Sequence, residues 1–166
     1  NGFGGRWVSV VPTGLTPLNA SGGSISPGTV NLTLNGSPSA ATNAEVNAFI
    51  ATDAIHNYFR DRSGTFNAID LQLPANTGVA GTCNAFFNGS SINFFNAGGG
   101  CVNSAYSTVV AHEYGHFIVN RLGLAQNAFG EGFGDTVAML SYNTPIVAAD
   151  FFGPGSPIRN PPAANV

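Results

Sequence analysis

The chain of 166 residues contains no lysine, and its cations are five arginines. Charged residues make up only 8% of it and leave a net charge of −3. Binding to a nucleic-acid backbone needs clustered cations that neutralise phosphates, so no nucleic-acid partner is expected. No apolar run reaches the roughly 18 residues that a membrane-spanning helix requires, so no membrane partner is expected either. The opening stretch, NGFGGRWVSV, has neither a basic leader nor an apolar run before a cleavage site; an exported form would be a mature or excised chain. Cysteine is scarce. Cys83 and Cys101 form no C-x-x-C pair and flank Gly/Asn-rich segments. That setting favours a disulfide, worth roughly 3 kcal/mol through loop closure, over two buried free thiols or a zinc site. Sparse charge with abundant Gly, Asn, Ser and Thr suggests a secreted, loop-rich protein.

What the chain does have is a hydrophobic fraction of 43%, enough for one domain with its own core. RWVSVVP (6–12) and GTVNLTL (28–34) alternate and are β-branched, and read as strands separated by a loop. TNAE resembles a capping box with Thr42 as N-cap and Glu45 three later. It opens a helix over 44–60, with Val46, Phe49, Ile50, Ile55, Tyr58 and Phe59 at helical spacing. NAIDLQL (67–73) reads as a strand closed by Pro74, and residues 82–95 as a hairpin turning at NGS. Helices follow over 104–122, with Gly123 as its stop, and over about 130–141. The last residues, rich in proline, read as a surface tail. Strands first and helices later make an α+β fold, with a mostly antiparallel N-terminal sheet and a backing helix.

The chemistry concentrates in AHEYGHFIVN (111–120), which holds two of the three histidines. With three histidines and three glutamates in the chain, an H-E-x-x-H arises by chance with a probability on the order of 0.001. On a helix, positions i and i+4 share a face, so His112 and His116 can both present ring nitrogens to one metal ion. Glu113 is turned by about 100° from His112. It is poorly placed as a ligand of that ion but can reach a water beside it and take its proton. Catalytic zinc takes a third protein ligand and keeps a fourth position open. His56 is the remaining histidine, on an amphipathic helix where such residues are more often structural. Glu131 in NAFGEGFGDTVAML is the better candidate. Asp135, four residues later, shares its helical face and suits the carboxylate that orients a zinc-bound histidine. The exchange of roles, with Asp135 as the ligand, stays open. Gly130, Gly132 and Gly134 would each cost a plain exposed helix roughly 1 kcal/mol, which suggests close helix packing instead.

Taken together these segments resemble the thermolysin-like zinc metallopeptidases and their fungalysin-type relatives, among the gluzincins. HEYGH is similar to their metal helix, and GEGFGD to the segment bearing their third zinc ligand and the aspartate behind it. CNAFFNGSSINFF resembles their substrate-binding edge strand, and AIHNYFR their helix before the sheet. The resemblance spans about residues 43–141 and implies a zincin-like fold. It implies one zinc per chain on His112, His116 and Glu131, Glu113 as general base, and Asp135 orienting His112. It also implies that Asn84 and Ala85 pair with a peptide substrate through amide groups. The matching division is an N-terminal β segment (1–42), a catalytic core (43–144) and a tail or linker (145–166) to a longer parent chain. Two departures stand out. The stretch between His116 and Glu131 is shorter than in thermolysin and has no tyrosine, and no histidine follows His116.

The expected function is therefore zinc-dependent hydrolysis of peptide bonds in a peptide or protein substrate, weak for this chain alone. The alternative is a catalytically idle zinc-binding module for peptide recognition or structure. Asp53, Asp61, Asp70 and Asp150 are scattered and form no calcium-loop motif, so calcium binding is left open. Sequons begin at Asn19, Asn31, Asn35 and Asn88.

Overall fold

Small and branched apolar side chains on strand faces and helix stripes account for most of the core. The computed structural model describes residues 3–14, 17–18 and 35–160; the strand expected at 28–34 lies outside them. In chain order the elements are β1 (Val8–Pro12), α1 (Ala40–Arg62), a 3-10 turn (Asn67–Ile69), β2 (Leu73–Thr82), β3 (Ala85–Phe87), β4 (Ile92–Asn96), α2 (Ser107–Arg121) and α3 (Asn127–Tyr142). Val8, Val10, Leu73, Ala75, Ile92 and Phe94 turn into the core from the strands. On α1 the buried positions Ala44, Ala48, Ala51 and Ile55 recur at helical spacing, and their small side chains let the helix lie close to the sheet. The central helix α2 is buried nearly all round, from Thr108 to Val119, because α1, the sheet and α3 enclose it. No helix of the described residues is long and apolar enough to cross a membrane.

The fold is α+β, as expected, but the sheet is mixed rather than mostly antiparallel. Its order is β1-β2-β4-β3. β1 pairs with β2 and β2 with β4 in parallel, while β3 pairs with β4 antiparallel. The cause is the connection. Helix α1 crosses over between β1 and β2 and returns the chain in the same direction, whereas a tight turn joins β3 to β4. In that turn the Asn88 side-chain oxygen accepts from the Ser90 and Ser91 backbone N–H groups at 3.0 and 2.8 Å.

Three further expectations need correction. Helix α1 starts earlier, capped by Ser39, whose hydroxyl accepts from Thr42 N–H at 3.2 Å while Thr42 Oγ1 accepts from Ser39 N–H at 2.9 Å. Glu45 is not part of the cap; it is fully buried and accepts from Leu18 N–H at 3.0 Å. Pro74 does not end a strand but lies second in β2. Leu73 N–H donates to Trp7 O, so Leu73 faces β1 and Pro74 faces the side where pairing with β4 begins only at Ala75. A missing donor costs nothing there. Finally, residues 145–160 are not a loose tail. Val147, Ala148 and Phe151 are buried, Ala148 N–H donates to Thr108 Oγ1 at 2.7 Å, and Val147 bridges to Arg159. The segment doubles back, with Ile158 N–H donating to Val147 O at 3.1 Å. Residues 161–166 lie outside the described part.

Candidate metal centre and cleft

Helices α2 and α3 cross at their glycines. A β-carbon on Gly134 would lie 2.8 Å from His112 Nδ1, and one on Gly130 would lie 3.0 Å from His116 Nδ1. Two of the three glycines singled out from sequence are thus required by close approach, and Gly115 on α2 joins them; Gly132 faces open space. This approach sets Glu131 against both histidines. His112 Nε2 and His116 Nε2 are 3.2 Å apart, and the Glu131 oxygens stand 3.3 Å from the first and 3.5 Å from the second.

The outer edges of the two rings decide what the inner edges present. His112 Nδ1 lies 2.9 Å from Asp135 Oδ1 and His116 Nδ1 lies 2.9 Å from Gln126 Oε1. Both partners are acceptors, so each ring carries its proton on Nδ1 and turns a bare Nε2 lone pair inward. Two lone pairs and a carboxylate then converge with no hydrogen between them, an arrangement that repels itself unless a cation sits among them. An ion held about 2.0–2.1 Å from each donor in a tetrahedral shell would space the donors by roughly 3.3–3.4 Å. The spacings found match that. The three side chains could therefore hold a metal ion, and among the described residues they are the one group of metal-capable side chains close enough to do so.

Glu113 stands beside this group, 4% exposed, with one carboxylate oxygen lacking a hydrogen-bond partner among the described residues. Burial first, and then the charge of Glu131, push its pKa up to about 8 against the pull of the Phe87 backbone N–H. Burial and the neighbouring His116 lower the pKa of His112. The cleft containing these groups has a volume of about 670 Å³. Asn84 and Ala85 lie on its wall, at the start of the sheet's edge strand β3. The Cys83–Cys101 disulfide is formed, with Cα atoms 5.4 Å apart, and ties that strand's entry to the loop after β4.

His56 belongs elsewhere. It is fully buried, stacked on Trp7 at 3.9 Å, with Nδ1 at 3.0 Å from the Tyr114 hydroxyl and Nε2 at 3.3 Å from Asp70. Two site residues gave little signal in the sequence. Gln126 has no periodic relation to the histidines, and Arg159 sits among prolines. Yet Arg159 Nε donates to Asp135 Oδ2 at 3.1 Å, and with Phe151, Phe152 and Ile158 it walls the cleft.

No protein-family model and no curated protein sequence matches the chain. Among solved structures it resembles the precursor of protealysin, a metalloproteinase from Serratia proteamaculans, with a TM-score of 0.55 at 20% identity. The match covers 68% of this chain and 38% of that one. The likeness is one of fold alone, an α+β arrangement of a mixed sheet and helices. The chain spans under two-fifths of that protein's length.

Proposed function

We propose that the chain is a zinc-dependent peptidase unit, with His112, His116 and Glu131 as ligands, Asp135 orienting His112 and Glu113 as general base. The observation that carries this reading is the convergence of three acceptor side chains at ion-compatible spacing, with a buried, half-unpaired carboxylate alongside. Zinc would suit two imidazoles and a carboxylate, and when bound would polarise a scissile carbonyl and lower the pKa of a water to about 7. Glu113, buried and close by, would accept that water's proton and deliver it to the departing amine. The β3 edge, with Asn84 and Ala85, would align an extended peptide through main-chain hydrogen bonds, as edge strands do. Arg159 is the one cation on the described cleft wall and could face negative charge developing on the former carbonyl oxygen. The disulfide at the sheet edge suits a secreted protein. We further assign residues 43–144 to the catalytic core, with residues 145–160 packed against it, and expect full turnover only within a longer parent chain, since the match covers 38% of the structural neighbour.

The test combines metal analysis with a peptide-cleavage assay. Purified protein should hold one zinc per chain, lose activity to a chelator and regain it with zinc. Glu113→Gln should keep its zinc while activity falls by roughly 10²–10⁴, the usual worth of general-base catalysis. A Glu113→Gln variant that loses its zinc would make Glu113 a ligand. Zinc uptake with no cleavage from either form would leave the idle binding module as the correct reading.

A further inference from the structure

His112 and His116 are supported differently, and the difference identifies a residue outside the H-E-x-x-H and GEGFGD segments. We infer that Gln126 is a positioning residue that fixes the ring of His116 for metal binding; the inference rests on the metal reading above. Gln126 grips His116 at two points. Its Oε1 accepts from Nδ1 at 2.9 Å, and its Nε2 donates to the His116 main-chain oxygen at 2.9 Å. The second contact fixes which end of the amide meets the ring, because a main-chain carbonyl can only accept. The proton is thereby held on Nδ1 and the lone pair on Nε2, facing His112 and Glu131.

The position of Gln126 adds a second role. It immediately precedes α3, the helix that bears Glu131 five residues later, while His116 is on α2. The amide therefore ties the two ligand-bearing helices together at the site itself. Gly130 is the space this needs. A β-carbon there would lie 2.5 Å from Gln126 Oε1 and 3.0 Å from His116 Nδ1, so a larger residue displaces the amide or the ring. His112 has a carboxylate behind it and His116 a neutral amide, which makes His116 the less strongly polarised ligand and the more dependent on geometry.

The experiment uses the full chain as wild type, Gln126→Leu, Gln126→Glu and Gly130→Ala. One measurement is the nitrogen chemical shifts of the His116 ring in metal-free protein, at a pH where imidazole is neutral. The other is zinc and cobalt affinity by chelator competition. In wild type and Gln126→Glu, which keeps an acceptor at Nδ1, His116 should be protonated on Nδ1. In Gln126→Leu the proton should shift toward Nε2 and affinity should fall by roughly 10–100-fold, the usual effect of losing a partner behind a ligand. Gly130→Ala should resemble Gln126→Leu, and Gln126→Glu should recover most of the affinity. If the Leu variant keeps both the tautomer and the affinity, or if the Glu variant binds as weakly as Leu, Gln126 is packing and not a positioning residue. If wild type takes up neither ion, the metal reading itself fails and this inference goes with it.

Discussion

Gly115 on α2 and Gly134 on α3 meet so closely that a β-carbon on the first would lie 2.7 Å from the Cα of the second. The contact is backbone to backbone, with no flexible side chain to yield, and it holds the helix of His112 and His116 against the helix of Glu131.

Gly115→Ala should therefore destabilise the protein. Overpacking of this kind costs about 1–3 kcal/mol, which outweighs the roughly 1 kcal/mol that alanine gains over glycine in a helix. Metal affinity should fall with it, because α3 is pushed away. Gly132→Ala, in open space, should instead raise stability by up to about 1 kcal/mol. Denaturant unfolding of the two variants checks this, and a Gly115→Ala protein as stable as wild type would contradict it.

Glu113 gives metal-free protein a characteristic pH dependence. Its pKa in the folded state is raised from 4.5 to about 8. Between those values the folded chain holds a proton that the unfolded chain has released, so stability falls as pH rises through that window. Buried His56 and half-buried His112 have lowered pKa values and act in the opposite sense up to their ordinary 6.5. Comparison with Glu113→Gln separates the two. Wild type should lose stability relative to the variant as pH rises toward 8, and zinc should remove most of the difference. Parallel melting temperatures for both proteins across this range would rule the effect out.

How much of this was legible in the sequence depended on the range of the signal. The pair His112 and His116, with Glu113 between them, shows in residue spacing because a helix repeats locally. Glu131 and Asp135 follow the same logic on α3. The direction of the strands did not show, because alternation reports burial and not the sense of the neighbouring strand. Ser39 was hidden because TNAE imitates a cap three residues downstream. Arg159 and Phe151 were hidden for a different reason: proline-rich composition looks like a tail whether or not buried side chains such as Val147 anchor it.

The Cys83–Cys101 bridge brackets the β3–β4 hairpin, and Cys83 has a left-handed backbone at φ 59°. Replacing both cysteines by alanine should cost roughly 3 kcal/mol by loop-closure entropy. Its local effect should be faster amide exchange at Ala85–Phe87, the cleft edge, than in α2. A uniform change across the protein would mean that the bridge acts only on global stability.

Arg159 offers the sharpest contrast between structure and catalysis. Its ion pair with Asp135 is partly exposed, with side chains 46% and 23% accessible. Pairs of that kind contribute about 0–1 kcal/mol to stability, so Arg159→Met should leave the melting temperature nearly unchanged. Turnover should respond far more. Nε is committed to Asp135, which leaves the outer guanidinium nitrogens available to the cleft. Loss of a donor aimed at developing oxyanion charge costs about 2.7–4 kcal/mol in known hydrolases. Arg159→Met should therefore reduce kcat by roughly 10²-fold or more, with zinc content intact and KM little changed. Arg159→Lys should recover only part of this, because a point charge cannot hold Asp135 and reach into the cleft at once. A Met variant whose kcat stays near wild type would place Arg159 among the residues that merely support His112 through Asp135.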